Sequence, residues 1–330
     1  MPETSDVKVP AKAPVRTLQC PSLPPEIWIR ILTFNTDLTH LWTRCRHVSH
    51  SFRAYTEYVF SNRVIRDTYI DFHLEKYNLG GKGKRPEIPT SFSHFEKKKD
   101  EKHVVHFTDK RTKSQIVSGM KKEYVKIMDR WRSNVTTRKP QLPNYTIHID
   151  NSSSSSSSNH TPLVNDTALP DLTIDIQRRS VSFDWREMYT LFFREQALFA
   201  HLKHNWDTTT SALLQTNNAR IARGEKLRIA DYPQPWTAAS VELRKQIRRK
   251  RLLSHYADNA EMAWAVQSLA HFENHNKGVP TMMVKLNPDL PGAGIGERWF
   301  GSVSVVQELY LDEWSSLHRI DTKVEHVKGG

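Results

Sequence analysis

Apolar positions along this chain recur with two periods, and the switches between them lay out the elements. In residues 22–66 the spacing is helical. Ile27, Trp28, Ile31 and Leu32 share one face; Leu38, Leu41, Trp42 and Cys45 share a second; Val48, Phe52, Tyr55 and Val59 share a third. Pro24 and Pro25 mark the start of the first helix, because proline suits a first turn. Thr36 or Asp37 can cap the second by accepting from its free amides. Three short apolar faces in so small a module cannot all be buried against one another, so some of this surface must pack on the rest of the chain or on a partner.

Beyond residue 66 the period changes. Thr68, Ile70, Phe72 and Leu74 alternate with polar residues, which predicts a strand. Residues 78–102, with their glycines, prolines and lysine run, read as an exposed loop. Val104–Phe107 and Tyr145–Ile149 read as strands, and Leu172, Ile174 and Ile176 resume the alternation. A helix is expected over Gln115–Trp131 and a stronger one over Phe183–Trp206, with Asp184 as its cap. Residues 238–275 read as one long helix with Leu253, Tyr256, Ala260, Ala263, Trp264 and Gln267 inward. Thr281–Leu286 is a strand candidate. The end, with Val303, Val305, Leu309 and Leu311 and then Ile320, Thr322 and Val324, reads as a β-hairpin. Strands on both sides of helices predict an α+β fold: a three-helix module at 20–66, then one mixed domain at 67–330 with a mainly antiparallel sheet and long helices. Residues 1–17 read as a disordered tail. The serine run 152–158 cannot bury apolar area, so a flexible loop is expected at about 151–168.

The chain has 330 residues, 38% hydrophobic and 10% aromatic, with nine tryptophans, which is the composition of a globular protein with a substantial core. Its net charge of +12 raises the prior for nucleic acid or acidic partners, although the excess is scattered. The two cysteines, Cys20 and Cys45, have no metal or disulfide spacing, which suits a reducing compartment. No signal peptide or membrane-spanning run is expected, so cytoplasm or nucleus is the expected location.

The segment Ser22-Leu-Pro-Pro-Glu-Ile-Trp-Ile-Arg-Ile-Leu-Thr-Phe34, with Leu41-Trp-Thr-Arg-Cys-Arg-His-Val-Ser-His-Ser-Phe-Arg53, resembles an F-box of the form common in fungal proteins. Trp185-Arg-Glu-Met-Tyr189 loosely resembles the C-terminal regions of the same proteins. The resemblance covers about the first fifth of the chain. It implies docking to the Skp adaptor and, through it, to a cullin scaffold and a RING subunit. Carried over by position, the docking set is Leu23, Pro24, Ile27, Ile31, Leu32, Leu41, Trp42, Cys45, Val48 and Phe52. The link Phe34-Asn-Thr-Asp-Leu38 lacks the Leu-Asp-Pro-type turn of many F-boxes. The implied role is substrate receptor of an SCF-type ubiquitin ligase, with residues 67–330 holding a protein substrate. Such a chain is not an enzyme and needs no cofactor. The alternatives are a Skp-bound protein acting outside the ligase, an ordinary three-helix start with no partner, and a basic module for nucleic acid or acidic proteins.

Other motifs are weaker. Arg244, Lys245, Arg248, Arg249, Lys250 and Arg251 form a basic block on a predicted helix. The expectation is a solvated cationic face with Ile247 inward, and the alternatives are nuclear import or phosphate binding. His271 and His275 have a metal-compatible spacing but lack the glutamate of the zinc-protease pattern and a third ligand, so no metal is expected. Gly292-Ala-Gly294-Ile-Gly296 follows prolines and precedes no predicted helix, unlike a phosphate-binding loop. No nucleophile–base pair can be named.

Overall fold

The computed structural model describes residues 23–73, 87–97, 103–111, 129, 133, 144–150, 162–175, 177–276 and 297–328. Three short helices open it: α1 (Pro25–Phe34), α2 (Leu38–Thr43) and α3 (His50–Asn62). Seven strands follow: β1 (Thr68–His73), β2 (Glu87–Phe95), β3 (Val104–Asp109), β4 (Tyr145–Ile149), β5 (Leu163–Asn165), β6 (Thr173–Asp175) and β7 (Ser180–Asp184). Four longer helices end it: α4 (Trp185–Ala222), α5 (Trp236–His255), α6 (Ala260–Asn276) and α7 (Glu297–Lys328). The strands form one sheet in the order β5-β4-β1-β2-β3-β7-β6, with every neighbouring pair antiparallel. The fold is α+β.

Local chemistry sets the helix starts. Asn35 turns the chain after α1 by accepting from the Asp37 amide at 2.9 Å, and Asp37 caps α2 by accepting from His40 N at 2.8 Å. Ser49 caps α3, and Asp184 caps α4 by accepting from Arg186 N at 2.8 Å and Glu187 N at 3.1 Å. The turn between α1 and α2 is thus made by asparagine and aspartate.

One face of the sheet and the first helices share a single core. Ile70, Phe72, Ile88, Val105, Phe107, Ile147, Val181 and Phe183 pack with Leu32, Leu41, Trp42 and Phe60, and with Trp185, Met188, Tyr189, Phe192 and Phe193 of α4. Trp42 sits among the rings of Phe60 (4.7 Å), Tyr189 (5.4 Å) and Trp185 (6.0 Å), and its Nε1 donates to Thr190 Oγ1 at 3.2 Å. Residues 23–66 therefore continue directly into the core of the sheet. A second core lies in α5, α6 and α7, around Leu252, Tyr256, Ala265, Val266, Leu269, Val306 and Leu309.

Several sequence expectations change. The segment 78–102 contains β2, whose Ile88 and Thr90 are fully buried. Its proline masks the strand, but Pro89 accepts from Lys110 N just past the end of β3, where a missing amide costs no ladder bond. Phe183 lies in a further strand, β7, which ends at Asp184, so the helix begins at Trp185 and runs on to Ala222 rather than Trp206. Part of the serine-rich loop is strand β5. Residues 238–275 are two helices, with Asn259 at the break accepting from Met262 N at 3.0 Å. Gln267, expected inward, is exposed, and Ala265, Val266 and Leu269 fill the interior. The expected C-terminal hairpin is the helix α7. Its buried Val306, Leu309, Glu313, Leu317 and Ile320 keep helical spacing, and no glycine, proline or asparagine supplies a turn between residues 303 and 324. The expected helix at 115–131, strand at 281–286 and glycine motif at 292–296 lie outside the described residues, as do the tail and the serine run, apart from Asp129.

Candidate functional site

The opening helices divide their apolar residues between two destinations. Leu32 (5% exposed), Leu41 (1%) and Trp42 (2%) belong to the core. They were expected in a docking surface, and the structure corrects this: α2 packs against α4, so these three side chains support the surface from behind. Leu23, Cys45 and Phe52 are half-buried, with Phe52 against Trp28 at 5.0 Å. Burial, then the nearby charge of Asp37, pushes the Cys45 thiol pKa up, which disfavours a reactive thiolate.

The other members face outward. Pro24 is exposed, as are Ile27 (42%), Ile31 (47%) and Val48 (67%). Phe34, absent from the expected set, is at 73% the most open of the large apolar residues in the opening helices. Pro24, Ile27, Ile31 and Phe34 are spaced 3, 4, 3, so they form one stripe along α1. The same period, carried one step past Ile31, would have found Phe34. An apolar stripe on the outside of a helix whose inner face is already packed is the mark of a docking surface.

The basic block behaves in the opposite way. Ile247 points inward as expected, but so do most of the cations. Arg248 (3% exposed) pairs with Asp166 and with Asp312 at 2.5 Å. Arg249 pairs with Glu313 at 2.6 Å, and Arg251 with Asp166 at 2.8 Å and Glu195 at 3.2 Å. Lys245 pairs with Glu273 and Arg244 with Asp321. Only Lys250 is exposed. The expected cationic face is therefore replaced by an ion-pair network that fastens α5 to α4, α6, α7 and the segment after β5. Burial opposes charge on Asp166, yet the guanidinium groups of Arg248 and Arg251 outweigh it and hold that carboxyl below its usual range. Glu195 goes the other way: burial dominates and raises it. The partner acids carry a faint sequence signal, since Asp312-Glu313 interrupts the apolar face of a helix.

Beside this network lies a cleft of ≈ 670 Å³ between α4, α5, α7 and β5. Leu163, Phe199, Trp236, Val241, Leu317 and Ile320 supply its apolar walls, and Glu195, Arg244 and Asp321 are among its charged residues. Its size is that of a ligand cleft, but its charged groups are largely engaged with one another. His271 is exposed, and no group of three or more metal-binding side chains occurs among the described residues. No helix among them is long and apolar enough to cross a membrane.

No protein-family model matches the chain, and no curated protein sequence or solved structure matches it.

Proposed function

We propose that this chain is the substrate-receptor subunit of an SCF-type cullin-RING ubiquitin ligase. The observation that carries the reading is the exposed stripe Pro24, Ile27, Ile31 and Phe34 on α1, on the segment whose residues resemble an F-box. On this reading the stripe and Val48 enter an apolar groove of the Skp adaptor, by helix-in-groove docking with spaced anchors. Leu32, Leu41 and Trp42 act indirectly, by fixing α1 and α2 on the core. The adaptor brings the cullin and RING subunits, and the rest of the chain holds a protein target. Catalysis then comes from proximity, since a held target lysine has a high effective concentration beside a charged ubiquitin carrier. The nucleic-acid alternative loses its support, because five of the six cations in the basic block are tied to carboxylates.

Co-expression with the Skp adaptor tests the reading. The full chain is expected to co-purify with the adaptor, and Ile27→Glu with Ile31→Glu to abolish this without lowering the thermal midpoint. Equal capture by both proteins would sink the assigned interface. Capture of adaptor without cullin would favour a role outside the ligase.

A further inference from the structure

Large apolar side chains are exposed in two main places among the described residues. One is the opening three-helix module. The other is the far half of α4 and the segment that returns from it: Leu213 (38%), Leu214 (41%), Ile221 (52%), Ile229 (94%) and Tyr232 (54%). Helix α4 is 38 residues long, roughly 57 Å at the α-helical rise. Its buried residues fall between Trp185 and Glu195, except for Asn217. The rest is an arm.

The five apolar residues gather around one polar junction. Asn217 Nδ2 donates to the Asp231 carbonyl at 2.7 Å, and Arg220 reaches Asp231 at 3.4 Å and Glu225 at 2.9 Å. The returning segment therefore lies along α4. Leu213, Leu214 and Ile221 stand within one helical turn of Asn217, and Ile229 and Tyr232 flank Asp231 in sequence. Charge accompanies them. From Arg220 to Asp231 there are four cations, Arg220, Arg223, Lys226 and Arg228, against the two carboxylates of Glu225 and Asp231. Both carboxylates are engaged by Arg220, and Glu225 by Arg223 as well. Among the described residues no ion pair engages Lys226, and Arg228 makes no salt bridge and lends only its nearby positive charge to Asp231.

We propose that this arm is the surface on which the receptor grips its substrate, and that the segment it takes is acidic and apolar. This rests on the receptor reading above. Carboxylates of the segment meet Lys226 and Arg228, and its apolar side chains cover Ile229, Tyr232, Leu214 and Ile221. An anionic membrane would also suit cations beside apolar residues, but an inserting loop needs its apolar residues at the tip. Here the tip is Arg223-Gly224-Glu225, with the two charges paired at 3.3 Å and the glycine in the left-handed region (φ +81°).

The test uses the full chain and a fluorescein-labelled peptide with leucines at helical spacing and glutamates between them. A lysine-for-glutamate version and phosphatidylserine vesicles run beside it. The chain is expected to bind the glutamate peptide in preference to the lysine one, more weakly as salt rises. Ile229→Asp with Tyr232→Asp is expected to weaken binding about tenfold or more, since truncating anchors of this kind costs at least that. Lys226→Glu with Arg228→Glu is expected to reverse the preference. Because these side chains are exposed, both variants should keep the thermal midpoint and capture the Skp adaptor as the parent does. No preference between the peptides, equal binding by the variants, or retention on vesicles in place of the peptide overturns the proposal. Peptide binding without adaptor capture would remove the receptor reading and leave the arm as a docking surface. Adaptor capture without peptide binding would remove the arm alone.

Discussion

Helices α1 and α5 invert each other. Helix α1 exposes a stripe of isoleucine, proline and phenylalanine, and α5 turns arginines inward. Exposed apolar residues become informative when they are contiguous, and buried charges when they are paired. In α1 the inner face is satisfied by Leu32, so the outer stripe has no structural task within the described chain. In α5 five of the six clustered cations are tied to carboxylates of neighbouring elements. Charge density along a sequence therefore does not show where a surface lies. The arginines of α5 found partners because acids stand at buried positions on the facing elements: Asp166, Glu195, Glu273, Asp312 and Glu313. Charge alone would have placed an exposed cationic surface on α5, where the cations are paired.

The largest expected effect tests whether the α1 surface can exist alone. Residues 23–66 expressed without the sheet should fail to fold, because Trp42 and Phe60 lose their partners on α4 and the remaining interior is too small. A dispersed amide spectrum from that fragment would break the comparison, since the exposed stripe on α1 would then owe nothing to the core. Next comes Arg248→Met. Removing the cation takes a buried charge partner from Asp312 and one of two guanidinium groups from Asp166, which keeps Arg251, and urea unfolding should show a loss of about 3 kcal/mol. A loss no larger than that of an exposed arginine would show that α5 is held by its apolar residues instead.

A smaller effect is expected where α7 meets the sheet. Burial opposes charge on Asp71, but the imidazole of His148 (3.2 Å) and the ammonium of Lys323 (2.8 Å) outweigh it and hold the carboxyl down to about 2. Its folded-state pKa lies below the ordinary 3.8, so its contribution is present above about pH 4 and is lost as pH falls through 2. The span corresponds to roughly 2 kcal/mol. Asp71→Asn should flatten that part of the stability-against-pH curve between pH 4 and 2; an unchanged slope would assign it to other carboxylates. The smallest effect closes the contrast with Arg248. Ile31→Ser on α1 should change stability by no more than about 0.5 kcal/mol. A loss of several kcal/mol would mean that the stripe is covered by the chain itself.

These inversions also explain what could be read from the sequence. Strands β1, β3 and β4 showed a period of two because each sends alternate residues into the same core. Asp184 announced α4 through its capping chemistry. Strand β5 is too short to display a period, the alternation of Val181 and Phe183 in β7 is overlain by the helical spacing that continues from Phe183, and β2 hid behind its proline and neighbouring lysines. Helix α7 was misread because an incidental alternation of valine and leucine overlay its helical period, and its buried positions include Asp312 and Glu313, which look exposed until their arginines are known. Of the α1 surface, Ile27 and Ile31 were legible from spacing. That Trp42 would belong to the core was not, because its partners Tyr189 and Thr190 lie nearly 150 positions away.

The interlocked rings of Trp42, Phe60, Trp185, Tyr189 and Phe193 have a mechanical consequence. They join the base of the α1 surface to the first turns of α4, and α4 continues without interruption into the arm. The described chain has no break between the two: the α1 stripe and the cluster around Ile229 and Tyr232 stand at opposite ends of one lever, and on the receptor reading a rotation imposed on α1 is carried along the helix toward the other end.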